Sequence, residues 1–68
     1  MHARIKVGQD THGYTYWYDR NDRYIYQRNQ TGQEWTGWLC SGSVWDYFRR
    51  NMPASISVEE AIEGKELP

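Results

Sequence analysis

Residues 14–40 read Tyr14-Thr15-Tyr16-Trp17-Tyr18-Asp19, Arg20-Asn21-Asp22, Arg23-Tyr24-Ile25-Tyr26-Gln27-Arg28, Asn29-Gln30-Thr31-Gly32-Gln33 and Glu34-Trp35-Thr36-Gly37-Trp38-Leu39-Cys40. Three aromatic-rich runs are separated by two clusters of turn formers. Aromatic and β-branched side chains suit a pleated, half-buried surface. Asn, Asp and Gly supply the conformations that tight turns need. The stretch therefore predicts a three-stranded antiparallel meander. Gly37 inside the last run marks a bulge or a close approach by another group.

Register decides which rings meet, because a shift of one residue moves every side chain to the other face. A three-residue loop, Arg20-Asn21-Asp22, pairs Asp19 with Arg23, Tyr18 with Tyr24 and Tyr16 with Tyr26. Tyr14, Tyr16, Tyr18, Tyr24 and Tyr26 then share one face, and Trp17 lies opposite Ile25 on the other. A two- or four-residue loop instead pairs Tyr18 with Ile25 and Trp17 with Tyr26. The first register keeps apolar with apolar and sets Asp19 against Arg23 as a cross-strand ion pair, so it is the one expected. The loop lacks the Gly that usually closes a three-residue turn.

Upstream, residues 3–9 (Ala-Arg-Ile-Lys-Val-Gly-Gln) alternate, with Ile5 and Val7 on one side and Arg4 and Lys6 on the other. They predict a further half-buried strand at a sheet edge. Gln9 to Gly13 is a polar connection, with His12 a solvated turn residue.

Downstream the period changes. Ser41-Gly42 breaks the strand. Ser43 is expected as an N-cap, with Asp46 completing a variant capping box. Val44, Trp45, Phe48 and Met52 recur at helical spacing, so a helix over about 43–51 should bury Val44, Trp45 and Phe48. Pro53 ends it. Ser57-Val58-Glu59-Glu60 is a second capping box, predicting a short helix over about 58–63 with Gly64 as its stop. The last four residues are expected to fray. The expectation is one α+β domain over residues 1–68: a small four-stranded antiparallel meander over about 3–40, one main helix packed on one face, and a short C-terminal helix.

A chain of 68 residues buries only about 60% of its unfolded surface. Disulfides, metals or self-association usually help such a chain. The lone Cys40 excludes an internal disulfide, and Cys40, His2 and His12 make no standard metal spacing. No cofactor is expected. Four Trp and six Tyr bury large areas while keeping polar tips, which suits a half-exposed sheet. Net charge is −1, with seven Lys/Arg against five Asp/Glu over residues 1–50 (+2) and one Lys against four Glu over 51–68 (−3). No global field steers the chain to nucleic acid or an anionic membrane. No apolar run reaches spanning length and no signal peptide is read, so the expected compartment is the cytoplasm.

Cys40 with His12 or His2 is a weak candidate nucleophile, because nothing brings a base to the thiol. Asp10, Asp19, Asp22, Glu34 and Asp46 are the candidate acids, and three of them stand where turns or caps use Asp anyway. The chain is therefore read as non-enzymatic. Tyr, Trp and Arg are the types that dominate binding hot spots. The expected site is the tyrosine face, Tyr14, Tyr16, Tyr18, Tyr24 and Tyr26 with Arg28. One short helix covers one face of four strands and leaves those rings at the surface. The expected partner is another protein or a second copy of the chain. Size and compactness fit a small regulatory protein of the kind phages and mobile elements encode. The rival class is a single-stranded nucleic-acid module, with tyrosines stacking bases and Arg20, Arg23 and Arg28 meeting phosphates. The acidic tail and near-neutral total rank it second.

Overall fold

The computed structural model describes residues 3–31 and 35–68, with side chains outside 35–39. The order is β1 (Arg4–Gln9), β2 (Thr15–Asp19), β3 (Tyr24–Arg28), β4 (Trp35–Ser41), α1 (Gly42–Phe48), a 3₁₀ turn (Arg49–Asn51), β5 (Ala54–Ser55) and α2 (Val58–Ile62). The domain is α+β: a curled antiparallel sheet, ordered β4-β3-β2-β1-β5, with two helices. The expectation of four strands in a meander needs correction. The described residues form five strands, and the sheet curls into a half-barrel. No helix among the described residues is long and apolar enough to cross a membrane.

The fifth strand escaped the sequence because it has two residues, too few to show a period. It pairs Gly8 with Ser55 and Gln9 with Ala54. Beyond it, the Ile56 N–H donates to the Val7 carbonyl (2.8 Å) and the Leu67 N–H to the Lys6 carbonyl (3.0 Å). β1 is thus not an edge strand, and the last four residues do not fray away from the domain. Their backbone runs along β1 and satisfies part of its ladder.

The β2–β3 register also departs from expectation. Tyr18 pairs with Ile25, Trp17 with Tyr26, Tyr16 with Gln27 and Thr15 with Arg28, the pairing of a four-residue loop at 20–23. The cause lies in the turn itself. Asp19 does not face Arg23 as an ion pair. Its Oδ1 accepts the N–H groups of Asn21 (2.8 Å) and Asp22 (3.3 Å), and its carbonyl accepts the Arg23 N–H (2.7 Å). Arg23 takes a left-handed conformation, φ 65°, in the place a Gly would fill. A side-chain-capped turn of this kind outweighs the gain of matching tyrosine to tyrosine.

This register puts Tyr16 (6% exposed) and Tyr18 (3%) in the core with Ile5, Val7, Ile25, Trp45, Val58 and Ala61. A bulge between Lys6 and Gly8 turns Val7 and Gly8 both inward. Gly8 lies under Trp45, where a Cβ would stand 2.6 Å from the indole Cη2. No larger residue fits there without moving the ring.

α1 starts at Gly42 with Ser41 in the cap position, two residues earlier than expected, and Ser43 does not cap it. Asp46 pairs with Arg49 at 3.4 Å. Only Trp45 of the expected stripe is buried; Val44 and Phe48 (38% exposed) are at the surface. The curled sheet leaves a narrow interior. One indole fills its centre, with its Nε1 donating to the Ile56 carbonyl (3.0 Å) and its ring 5.5 Å from that of Tyr16. Val58 and Ala61 of α2 pack into the same core. The second capping box forms as expected: the Glu60 N–H donates to Ser57 Oγ, and Glu60 Oε1 accepts the Ser57 N–H. Gly64 (φ 97°) stops α2, with its N–H on the Ala61 carbonyl and the Lys65 N–H on the Glu60 carbonyl.

Candidate functional site

Both helices cover the inner face, so the outer face of β1–β3 is the broad sheet surface they leave open. Alternation sends Arg4 and Lys6 of β1, Thr15 and Trp17 of β2, and Tyr24, Tyr26 and Arg28 of β3 to this side. Lys6, Trp17 and Tyr26 form one row across three strands. The Arg4 guanidinium lies over the Tyr26 ring, 3.8 Å from its centroid, and Arg28 stands 5.9 Å from the centroid of Trp17. The face is thus a lattice of rings and cations, with Arg4 and Arg28 placed where a π-face attracts them.

Two aspartates hold the lattice in place. Asp19 Oδ2 accepts from Arg4 Nε at 3.1 Å. Burial pushes Asp19 upward, but the Asn21 N–H, the Arg4 guanidinium and the Asp22 N–H outweigh it and hold the carboxyl below its ordinary value of 3.8. Asp22 accepts the Tyr24 N–H (2.9 Å) and the Tyr26 hydroxyl, and the latter bond raises the Tyr26 phenol above 10.0. The Trp17 Nε1–H donates to Thr15 Oγ1 at 2.9 Å. Arg4, Lys6 and Arg28 stand here against Asp19, which is paired with Arg4, and Asp22, so the face carries a slight positive excess.

Of the expected site residues, Tyr24, Tyr26 and Arg28 lie on this outer face. Tyr14, Tyr16 and Tyr18 do not. Tyr16 and Tyr18 are core, and Tyr14 packs half-buried against the core cluster. The single tyrosine face does not form, because the four-residue loop moves β3 by one residue against β2. With Tyr16 in the core, substituting Tyr16 and Tyr26 together by Ser should unfold the domain. Trp17, Arg4 and Lys6 are the members that sequence reasoning missed. The signal that finds them is Asp19 followed by a loop without Gly, which favours the longer turn and the alternative pairing.

The Tyr16 hydroxyl has a structural task. It donates to Asp10 Oδ2 (2.9 Å) and accepts from Gln27 Nε2 (3.0 Å). Burial first, and the Asp10 bond second, push its phenol up to about 12. Asp10 Oδ1 accepts the N–H groups of His12 (2.9 Å) and Tyr14 (3.0 Å), so His12 is an exposed turn residue. Cys40 is half-buried, and burial pushes its thiol up to about 11, so it carries almost no thiolate at neutral pH.

Arg20 and Arg23 do not join Arg28. They lie at the loop end of the hairpin, and Arg28 is five residues along β3, roughly 17 Å away at strand rise. Comparison with protein-family models, with curated proteins and with solved structures gives no match.

Proposed function

We propose that the chain is a small non-enzymatic protein-binding domain and that its binding surface is the outer sheet face formed by Arg4, Lys6, Trp17, Tyr24, Tyr26 and Arg28. One observation carries the reading: this face holds rings and cations in a fixed lattice, and both helices pack on the opposite side. Trp, Tyr and Arg are the anchors that concentrate interface energy. Their rotamers are held beforehand by Asp19, Asp22 and Thr15, so ordering costs little on binding. The partner is a protein surface with exposed carboxylates, met in the cytoplasm, where a single free cysteine is at home.

The test is affinity capture from the native cell, with and without nuclease, for the parent and for Trp17→Ser/Arg28→Glu. Neither substituted side chain is core, so the variant should stay folded. A nuclease-resistant protein partner captured by the parent and lost from the variant supports the reading. Equal capture by both overturns it.

A single-stranded nucleic acid is the second reading, favoured by rings and arginines sharing an open face. Two features weigh against it. Arg20 and Arg23 stand away from Arg28, and the face of Tyr26 is already occupied by the Arg4 guanidinium rather than open to a base. Micromolar binding of labelled single-stranded DNA or RNA that falls steeply with salt would reverse the order.

A further inference from the structure

A second feature lies at the hairpin's loop end and meets the outer face only at Tyr24. An open cleft of about 640 Å³ lies between the 20–23 loop, the junction of β4 with α1, and the end of α2. That is ample for a small organic ligand. Arg20 and Arg23 line one wall, Ser41 another, and Tyr24 and Ile62 supply apolar surface. Tyr24 and Ile62 are 46% and 55% exposed, so their apolar surface is open to a ligand.

The charges around the cleft are sorted by the turn. Asp19 and Asp22 lie in the same loop as the two arginines, but their carboxylates are tied to Arg4 and to Tyr26 on the outer face. Among the described residues, the lining contains two guanidinium groups and no carboxylate. Tyr18 also lines the cleft. The residue is 3% exposed, and its hydroxyl reaches the open space at the cleft wall.

We propose that this cleft binds a small organic anion, a carboxylate or a phosphate ester carried on an apolar or aromatic body. Arg20 and Arg23 meet the anion, with the planar fork that suits both groups. The Tyr18 and Ser41 hydroxyls donate to it or to its ester oxygen. The Tyr24 ring and Ile62 cover the body. Arg23 lines the cleft from a left-handed backbone position, φ 65°.

The experiment is an amide chemical-shift titration with three probes: phenyl phosphate, benzoate and neutral benzyl alcohol. The expected result is saturable shifts at Arg20, Arg23, Tyr24, Ser41 and Ile62 with an anionic probe and none with benzyl alcohol. The tighter of the two anions names the source chemistry. Arg20→Gln and Arg23→Gln should each weaken binding at least about tenfold, the loss of one charge-assisted contact. Tyr18→Phe should weaken it about threefold or more with the spectrum of a folded chain. Arg23→Gly removes the guanidinium while suiting the backbone, so its loss of binding cannot be put down to misfolding. Benzyl alcohol matching the anions, no saturation with either anion, shifts centred on Arg4 or Arg28, or full binding by Arg23→Gly would each overturn the proposal. Tyr24 belongs to both surfaces, so the shifts at Arg20, Arg23, Ser41 and Ile62 are the ones that separate the cleft from the outer face.

Discussion

Asp19 is the residue on which the hairpin turns. Its carboxylate caps the 20–23 loop through two N–H groups and orients Arg4 over Tyr26. Asp19→Asn keeps the shape but loses the charge-assisted bond, and urea unfolding should show a loss of about 1–3 kcal/mol. The pH dependence follows from the direction of the shift. Asp19 and Asp10 both sit below 3.8 when folded, so the unfolded chain binds protons more readily. Their contribution is fully present above the ordinary carboxylate range and is lost as pH falls below 3.8 through the folded values. Acid unfolding of the parent should therefore be steeper below pH 3.8 than that of Asp19→Asn. Tyr16 shifts the opposite way. Raised from 10.0 to about 12, it stabilises the fold below 10.0, and that stabilisation fades as pH climbs towards 12. Ultraviolet titration should show a phenol ionising near 12 that Tyr16→Phe abolishes. Arg23→Gly should raise stability by about 0.5–1 kcal/mol, because the φ of 65° is strained for any residue with a Cβ.

Among the elements, α1 is anchored by one side chain. Trp45→Ala removes the centre of the core and should cost about 3–5 kcal/mol, most of what a domain this size has. Phe48→Ala, which the helical stripe would rank equal to it, should shift the melting temperature by only a few degrees, since Phe48 is partly solvated. The pair of melts decides which face of α1 meets the sheet. Gly8→Ala should destabilise by about 1–3 kcal/mol through overpacking against the Trp45 ring. α2 depends on its ends rather than its length. Ser57→Ala breaks the reciprocal bonds with Glu60 and should cost about 1 kcal/mol.

For the whole molecule, the question is where unused surface lies. β5 and the backbone at Ile56 and Leu67 cover the β1 side of the sheet, and β4 stands at the other end of the strand order. Self-association, if the partner is a second copy, then has the outer face or the β4 edge available. Sedimentation equilibrium across a hundredfold concentration range tests this. A dimer dispersed by Trp17→Ser/Arg28→Glu places the contact on the outer face, and a dimer indifferent to that variant places it elsewhere.

Strand and helix identities were legible from local chemistry: alternation in residues 4–9, ring-rich runs at 15–19 and 24–28, and the Ser57–Glu60 capping box each depend on neighbours within a few positions. What local chemistry could not decide was which face of each element is buried. Tyr16 and Tyr18 alternate with Trp17 whichever way the strand is turned, and both sets are apolar enough for a core. The choice fell to contacts distant in sequence: the Asp19-capped loop moved β3 by one residue, the bulge at Val7–Gly8 opened room for Trp45, and α2 with β5 closed the far side. The binding face followed from that choice. Where two faces of a strand are almost equally apolar, periodicity gives the alternation, and only the packed whole selects its sign.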